Sequence, residues 1–112
     1  MFRNRSLVPM MSVALAAGAL AAVSVPAIAQ DAVAGRNLAQ TCTNCHGTGG
    51  VAIGGMPSLA GLPREHLAQQ MRDFRDGRRP STIMHQLAKG FTDSEIDLIA
   101  SFFAAQKAPW AK

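Results

Sequence analysis

The chain has 112 residues, a formal charge of +4, 48% hydrophobic residues, two Cys and no Tyr, which confines it to one small domain. That size excludes a multidomain enzyme, and two cysteines exclude a disulfide-dense scaffold. The totals mix two populations, because residues 1–29 are rich in Ala, Val, Leu and Met and contain no acidic side chain.

In chain order the first predicted element is a leader. Arg3 and Arg5 form a basic start, Val8 to Val23 is an Ala-rich apolar run broken only by Pro9, Ser12 and Gly18, and Ala27-Ile28-Ala29 ends it with small residues at cleavage spacing. This is the pattern of a secretory signal peptide over 1–29, removed before Gln30. An uncleaved membrane anchor fits less well, since a span needs about 20 strongly apolar residues. Loss of Arg3 and Arg5 takes the net charge from +4 to +2 and leaves 30–112 as a single exported, periplasmic domain. The remaining Arg78-Arg79 pair lies near Asp73 and Asp76 and makes no footprint for nucleic acid.

From Asp31 to about Thr41 the spacing of Val33, Ala34, Leu38 and Cys42 predicts a short helix, with Asp31 as its cap. Gly47 to Gly61 shows neither helical nor strand periodicity and predicts a long loop, which in so small a domain is functional or wrapped around something. Pro63 suits a first helical position, Leu67, Met71 and Phe74 recur at i, i+4 and i+7, and Gly77 supplies a left-handed stop. A shorter helix follows from about Ser81 to Lys89, with Ile83, Leu87 and Ala88 on one face. The last helix has the fullest signature. Thr92-Asp93-Ser94-Glu95 fits a capping box, Phe91 and Ile96 fit a hydrophobic staple, and Ile96, Ile99, Ala100 and Phe103 form one stripe to about Gln106. No segment alternates with period two, so the domain is expected to be all α.

Such a chain buries only about 60–65% of its extended surface and calls for a staple beyond its core. A disulfide between Cys42 and Cys45 would close too short a loop to constrain much. Cys42-Thr43-Asn44-Cys45-His46 is instead the Cys-x-x-Cys-His arrangement of covalent c-type haem attachment. One helical turn presents two thiols to the two vinyl groups of one haem edge, and the next residue turns its imidazole onto the iron. A thioredoxin-like dithiol would need a βαβ scaffold, and a zinc site would need more Cys or suitably paired His than the isolated His66 and His85.

With His46 as one axial ligand, Met56, Met71, Met84, His66 and His85 remain for the other. Met71 sits on a helix stripe, as a packing Met does. Met56 follows His46 too closely, whereas Met84 lies far enough along to reach the opposite face. Met84 is therefore the favoured sixth ligand, with Met56 and His85 as alternatives and His66 as a solvated side chain. Pro57 has a separate expected role, in which a carbonyl of its loop accepts from the other ring nitrogen of His46 and fixes the ring. If Met84 were labile, the chain would be a haem enzyme or ligand sensor instead. Arg64, Arg72, Arg75 and Arg78 read as a solvated helix face rather than a docking patch.

At these residues the chain resembles the small bacterial class I c-type cytochromes, over essentially all of Asp31 to Gln106. The resemblance implies three to five short helices around one covalently attached haem c, and an electron carrier rather than an enzyme. It also implies a crossing of the first and last helices, with Gly35 permitting close approach and Phe102 or Phe103 as the aromatic partner. Pro57 in "MPSLAGLP" and Met84 in "STIMHQLAKGF" occupy the positions of the family's Pro and distal Met. The segment "STIMHQLAKGFTDSEIDLIASFFAAQK" is similar more narrowly to the cytochrome subunits of flavocytochrome c sulfide dehydrogenases, which implies an FAD-containing, sulfide-oxidising partner. The familiar form of that subunit has two haem domains, and this chain has one motif.

Overall fold

The computed structural model describes residue 24 and residues 26–112, so most of the expected leader lies outside the described residues. Among the described residues there are four α-helices and no strand, as the absence of period-two alternation implies: α1 (Ala27–His46), α2 (Arg64–Arg75), α3 (Met84–Ala88) and α4 (Asp93–Ala104).

α1 is longer at both ends than the sequence pattern predicts. Pro26 is its N-cap rather than Asp31, because Ala27 to Gln30 are good helix formers that continue the turn upstream. At the other end the helix carries on through Cys42 and Cys45 to His46 and stops at Gly47, whose positive φ of 82° turns the chain while its N–H bonds to Thr43 O at 3.0 Å. The loop after it contains one 3-10 turn, Thr48–Gly50.

α2 starts one residue later than predicted, with Pro63 as the residue before the helix rather than its first member. It ends as expected at Gly77, where φ is 74° and the N–H of Arg78 reaches back to Asp73 O at 2.8 Å. α3 is only five residues long. Ser81 to Ile83 are not helical, and Ile83 has a φ of −138°, far from helical values. α4 carries the complete capping box: Glu95 N donates to Thr92 Oγ1 at 3.3 Å and Thr92 N donates to Glu95 Oε2 at 2.8 Å. It closes at Ala104, two residues short of the predicted end.

The core is the stripe of α4 packed against α1 and α2. Ile96, Ile99, Ala100 and Phe103 join Ala39 of α1 and Leu67 and Ala68 of α2, all buried. Close crossing of α1 and α4 depends on Gly35, where a Cβ would sit 2.6 Å from the Leu98 carbonyl oxygen and 3.6 Å from Phe102 Cβ. Phe102 and Phe103 meet edge to face at 5.1 Å, so Phe102 flanks the crossing while Phe103 fills the core behind it.

Candidate haem-attachment site

The last turn of α1 puts Cys42, Cys45 and His46 on one helix end, and the loop that follows is folded back beneath them. That return is secured by Gly50, whose carbonyl accepts from Leu59 N at 2.8 Å and Ala60 N at 3.1 Å. Gly50 can lie there because it has no side chain: with a φ of 83°, a Cβ would be 2.6 Å from the Phe103 ring. Ser58 Oγ also accepts from Ala52 N at 3.0 Å and tightens the loop.

Folding back brings the Pro57 carbonyl within 2.7 Å of His46 Nδ1. A carbonyl only accepts, so Nδ1 carries the proton directed at it and Nε2 is the ring nitrogen left over for a ligand bond. His46 is 8% exposed, yet no buried side-chain nitrogen or oxygen lacks a partner among the described residues, so Nε2 opens onto space rather than packed protein.

That space is a cavity of about 520 Å³. Cys42, Cys45 and His46 line it from α1, Pro57 from the returning loop, and Met84 from the start of α3, so all five residues singled out in the sequence share one wall system. Met56, Met71 and His66 line it as well, and His85 does not. Met56 is 44% exposed, whereas Met84 is half-buried. His66 is exposed and bonds along its own helix to Gln70 at 2.8 Å, as a solvated side chain does. His85, the other alternative to Met84, is placed differently. It is half-buried, with Nδ1 3.1 Å from Ser81 Oγ.

Neither cysteine is in a disulfide. Burial pushes the Cys42 thiol above its ordinary value, against the opposing effect of the Thr41 hydroxyl. A thiol held protonated is a poor redox nucleophile, which disfavours a dithiol centre. Two free thiols, an imidazole with an available nitrogen and a thioether on one cavity are the donor set that covalent haem needs. Most of the remaining wall is apolar, built by residues such as Leu59, Phe74 and Phe91. The donor set and the wall fit the group.

The sequence pattern had not marked Arg79. Among the described residues it is the only Lys, Arg, Asp or Glu side chain on the cavity wall, held 5.3 Å above the Phe74 ring. The neighbouring arginines are spent differently. Arg64, Arg72, Arg75 and Arg78 pair with Asp97, Asp93, Asp76 and Asp73, so their charge is compensated within the α2–α4 face.

An all-helical frame whose first helix ends in a cavity-lining Cys-x-x-Cys-His, with its histidine oriented by a backbone carbonyl, defines a c-type cytochrome domain of the class I fold. The chain belongs to the cytochrome c family, whose model matches residues 32–107, and haem c is its cofactor. It is 42% identical over 69 residues to the cytochrome subunit of sulfide dehydrogenase of Chlorobaculum tepidum, covering 62% of this chain and 63% of that relative. It is 37% identical over 105 residues to the thiosulfate dehydrogenase electron acceptor of Thiomonas intermedia, covering 92% of this chain and 48% of that protein. A solved structure of Acidithiobacillus ferrooxidans cytochrome c4 superposes with a TM-score of 0.62 at 30% identity, over 67% of this chain and 49% of the other. The chain thus spans about half to two thirds of the length of these relatives. The Thiomonas relative is by name an electron acceptor, and the cytochrome c family to which this chain belongs is one of electron-transfer proteins.

Proposed function

We propose that the chain is an exported monohaem cytochrome that takes electrons from an FAD-containing sulfide dehydrogenase subunit and passes them on. In this reading residues 1–29 are removed, 30–112 form the periplasmic domain, Cys42 and Cys45 would hold the haem through thioethers, and His46 and Met84 would bind its iron. The carrying observation is the 2.7 Å contact of His46 Nδ1 with the Pro57 carbonyl, which orients the ring beside two free thiols on an apolar cavity that Met84 also lines. Metal-bound histidine usually has its second nitrogen engaged in this way. Bound haem would supply a one-electron couple, and ligation by a thioether together with histidine would raise its potential.

The protein's own contribution is to attach, orient and shield. Pro57 holds the imidazole, the walls around Phe74 and Phe91 exclude water, and Arg79 is placed to meet carboxylate charge at the cavity edge. Exchange of electrons would run through the edge beside exposed Cys45, next to Gly47 to Val51 and the exposed Ile83. Among the described residues no helix is long and apolar enough to cross a membrane.

The donor is tested by isolating the native protein. Co-purifying flavin and sulfide-driven haem reduction are expected; their joint absence rejects the sulfide dehydrogenase assignment. The second reading is a freestanding shuttle that serves other redox enzymes. It draws support from the thiosulfate dehydrogenase electron acceptor, which aligns over 92% of this chain. Carbon monoxide separates both from a ligand sensor or haem enzyme, since rapid stoichiometric binding to the reduced protein at neutral pH contradicts a firmly held Met84.

A further inference from the structure

Met84 stands on the least self-supporting element of the domain. α3 is five residues long, too short to be stable by itself, and its N-cap is Ile83, which has no side-chain acceptor to offer. The two preceding residues, Thr82 and Ile83, are exposed, and only Ala88 of the helix is fully buried. Burial alone therefore does little to fix where the Met84 side chain is presented.

The hydrogen bonds concentrate on Ser81. Its Oγ accepts from the His85 backbone N–H at 3.0 Å, taking the place of the missing cap, and lies 3.1 Å from His85 Nδ1. The hydroxyl that accepts from the N–H still has its own proton to donate to the ring nitrogen, so one side chain holds one residue at two points. The ring so closed spans residues 81–85 and contains Met84. All three of Ser81, Met84 and His85 are half-buried.

We infer that Ser81 and His85 form a clamp that presents the Met84 thioether, making both of them positioning residues for the distal ligand. This rests on the reading of Met84 as that ligand. The clamp raises the fraction of time the sulfur is in place and so lowers the affinity of the site for competing ligands. It also gives His85, adjacent to Met84, a place in the turn rather than on the iron, since it lies off the cavity wall.

The test uses the full-length haem-loaded protein in the ferric state at one fixed pH, with imidazole as the competing ligand. Ser81→Ala is expected to bind imidazole about three- to tenfold more tightly, the range that one lost hydrogen bond corresponds to. It should also weaken the long-wavelength absorption of thioether-ligated ferric haem and lower the midpoint potential. Ser81→Thr keeps the hydroxyl and should restore all three toward the parent. His85→Ala keeps the backbone bond and should give a smaller change in the same direction, which supplies the measurement if Ser81→Ala does not assemble.

Met84→Ala is the reference. If Met84→Ala strongly increases imidazole affinity while Ser81→Ala and His85→Ala leave affinity and absorption unchanged, the clamp is overturned and the ligand assignment stands. A lower melting temperature for Ser81→Ala with unchanged imidazole affinity overturns it equally, because that is a merely structural role. Should Met84→Ala itself change neither absorption nor affinity, the ligand assignment fails and the clamp falls with it.

Discussion

Where α1 crosses α4, a Cβ on Gly35 would sit 2.6 Å from a backbone oxygen, and Ile96, Ile99, Ala100 and Phe103 are at most 3% exposed. On the loop that faces the cavity from below, Ile53 is 91% exposed, and Gly54 and Gly55 have nothing within 4 Å of where a side chain would begin. The first region is held by packing that leaves no volume to spare. The second is held by a few directed hydrogen bonds, chiefly those received by the Gly50 carbonyl. His46 belongs to one region and Pro57 to the other, so the 2.7 Å bond between them is where frame and loop are registered. A rigid helix fixes the attachment point, and a loop with little packing of its own is shaped to serve it.

The most drastic way to break this division is to remove the tie between its parts. Replacing Cys42 and Cys45 together with Ala should abolish covalent haem, read as the loss of haem from the denatured polypeptide on a gel. The protein should then lose cooperative unfolding, because the cavity walls would face each other across about 520 Å³. A cooperative melt as steep as the parent's would mean that the helical frame needs no haem.

A sharper contrast sets one substitution in each region side by side. Phe103→Ala empties the centre of the packed side, where the ring is 1% exposed, and should cost about 3–5 kcal/mol in denaturant unfolding of the haem-loaded protein. Ile53→Ser, at an exposed position, should stay within about 0.5 kcal/mol. Equal effects would erase the distinction between frame and loop.

How much of this was legible in the sequence follows the same division. The α4 cap and stripe were readable because Thr92, Glu95 and the 3–4 spacing of Ile96, Ile99, Ala100 and Phe103 act locally. Cys-x-x-Cys-His was readable because covalent chemistry fixes its spacing. The upstream extension of α1 was not, since Asp31 looks like a cap until Ala27 to Gln30 are seen to continue the helix. Arg79 on the cavity wall was hidden because its place depends on the stop at Gly77 and on the Phe74 ring beneath it, which are set by tertiary geometry. Ser81 and His85 were hidden for a local reason, since a helix read from Ser81 makes them an ordinary i, i+4 pair, whereas Ser81 to Ile83 are not helical and Ser81 bonds to the start of α3 instead.

A smaller effect probes the cap that starts the packed side. Thr92→Ala removes the acceptor for Glu95 N and should cost about 1 kcal/mol. The loss should appear in unfolding and leave the haem absorption unchanged, since Thr92 is not on the cavity wall. A change in absorption of the size caused by Met84→Ala would show that the two regions are coupled more tightly than their packing implies.

The smallest expected effect concerns the charged face that joins α2 to α4. Asp93 is held below its ordinary carboxylate value, mainly by the hydrogen bond from Arg75 and that residue's charge, with Arg72 adding to both. Because its folded pKa is depressed, its contribution is present above the unfolded value near 3.8 and is lost as the pH falls through the lower folded value. Asp93→Asn should therefore lower stability modestly at neutral pH, and the difference from the parent should shrink below pH 3.8. The carboxylate is open to solvent, so added salt should shrink it too, with screening over about 10 Å at 0.1 M. A difference that survived both acid and salt would be due not to charge pairing but to the fit of the side chain at the start of α4, and would make this face part of the packed frame.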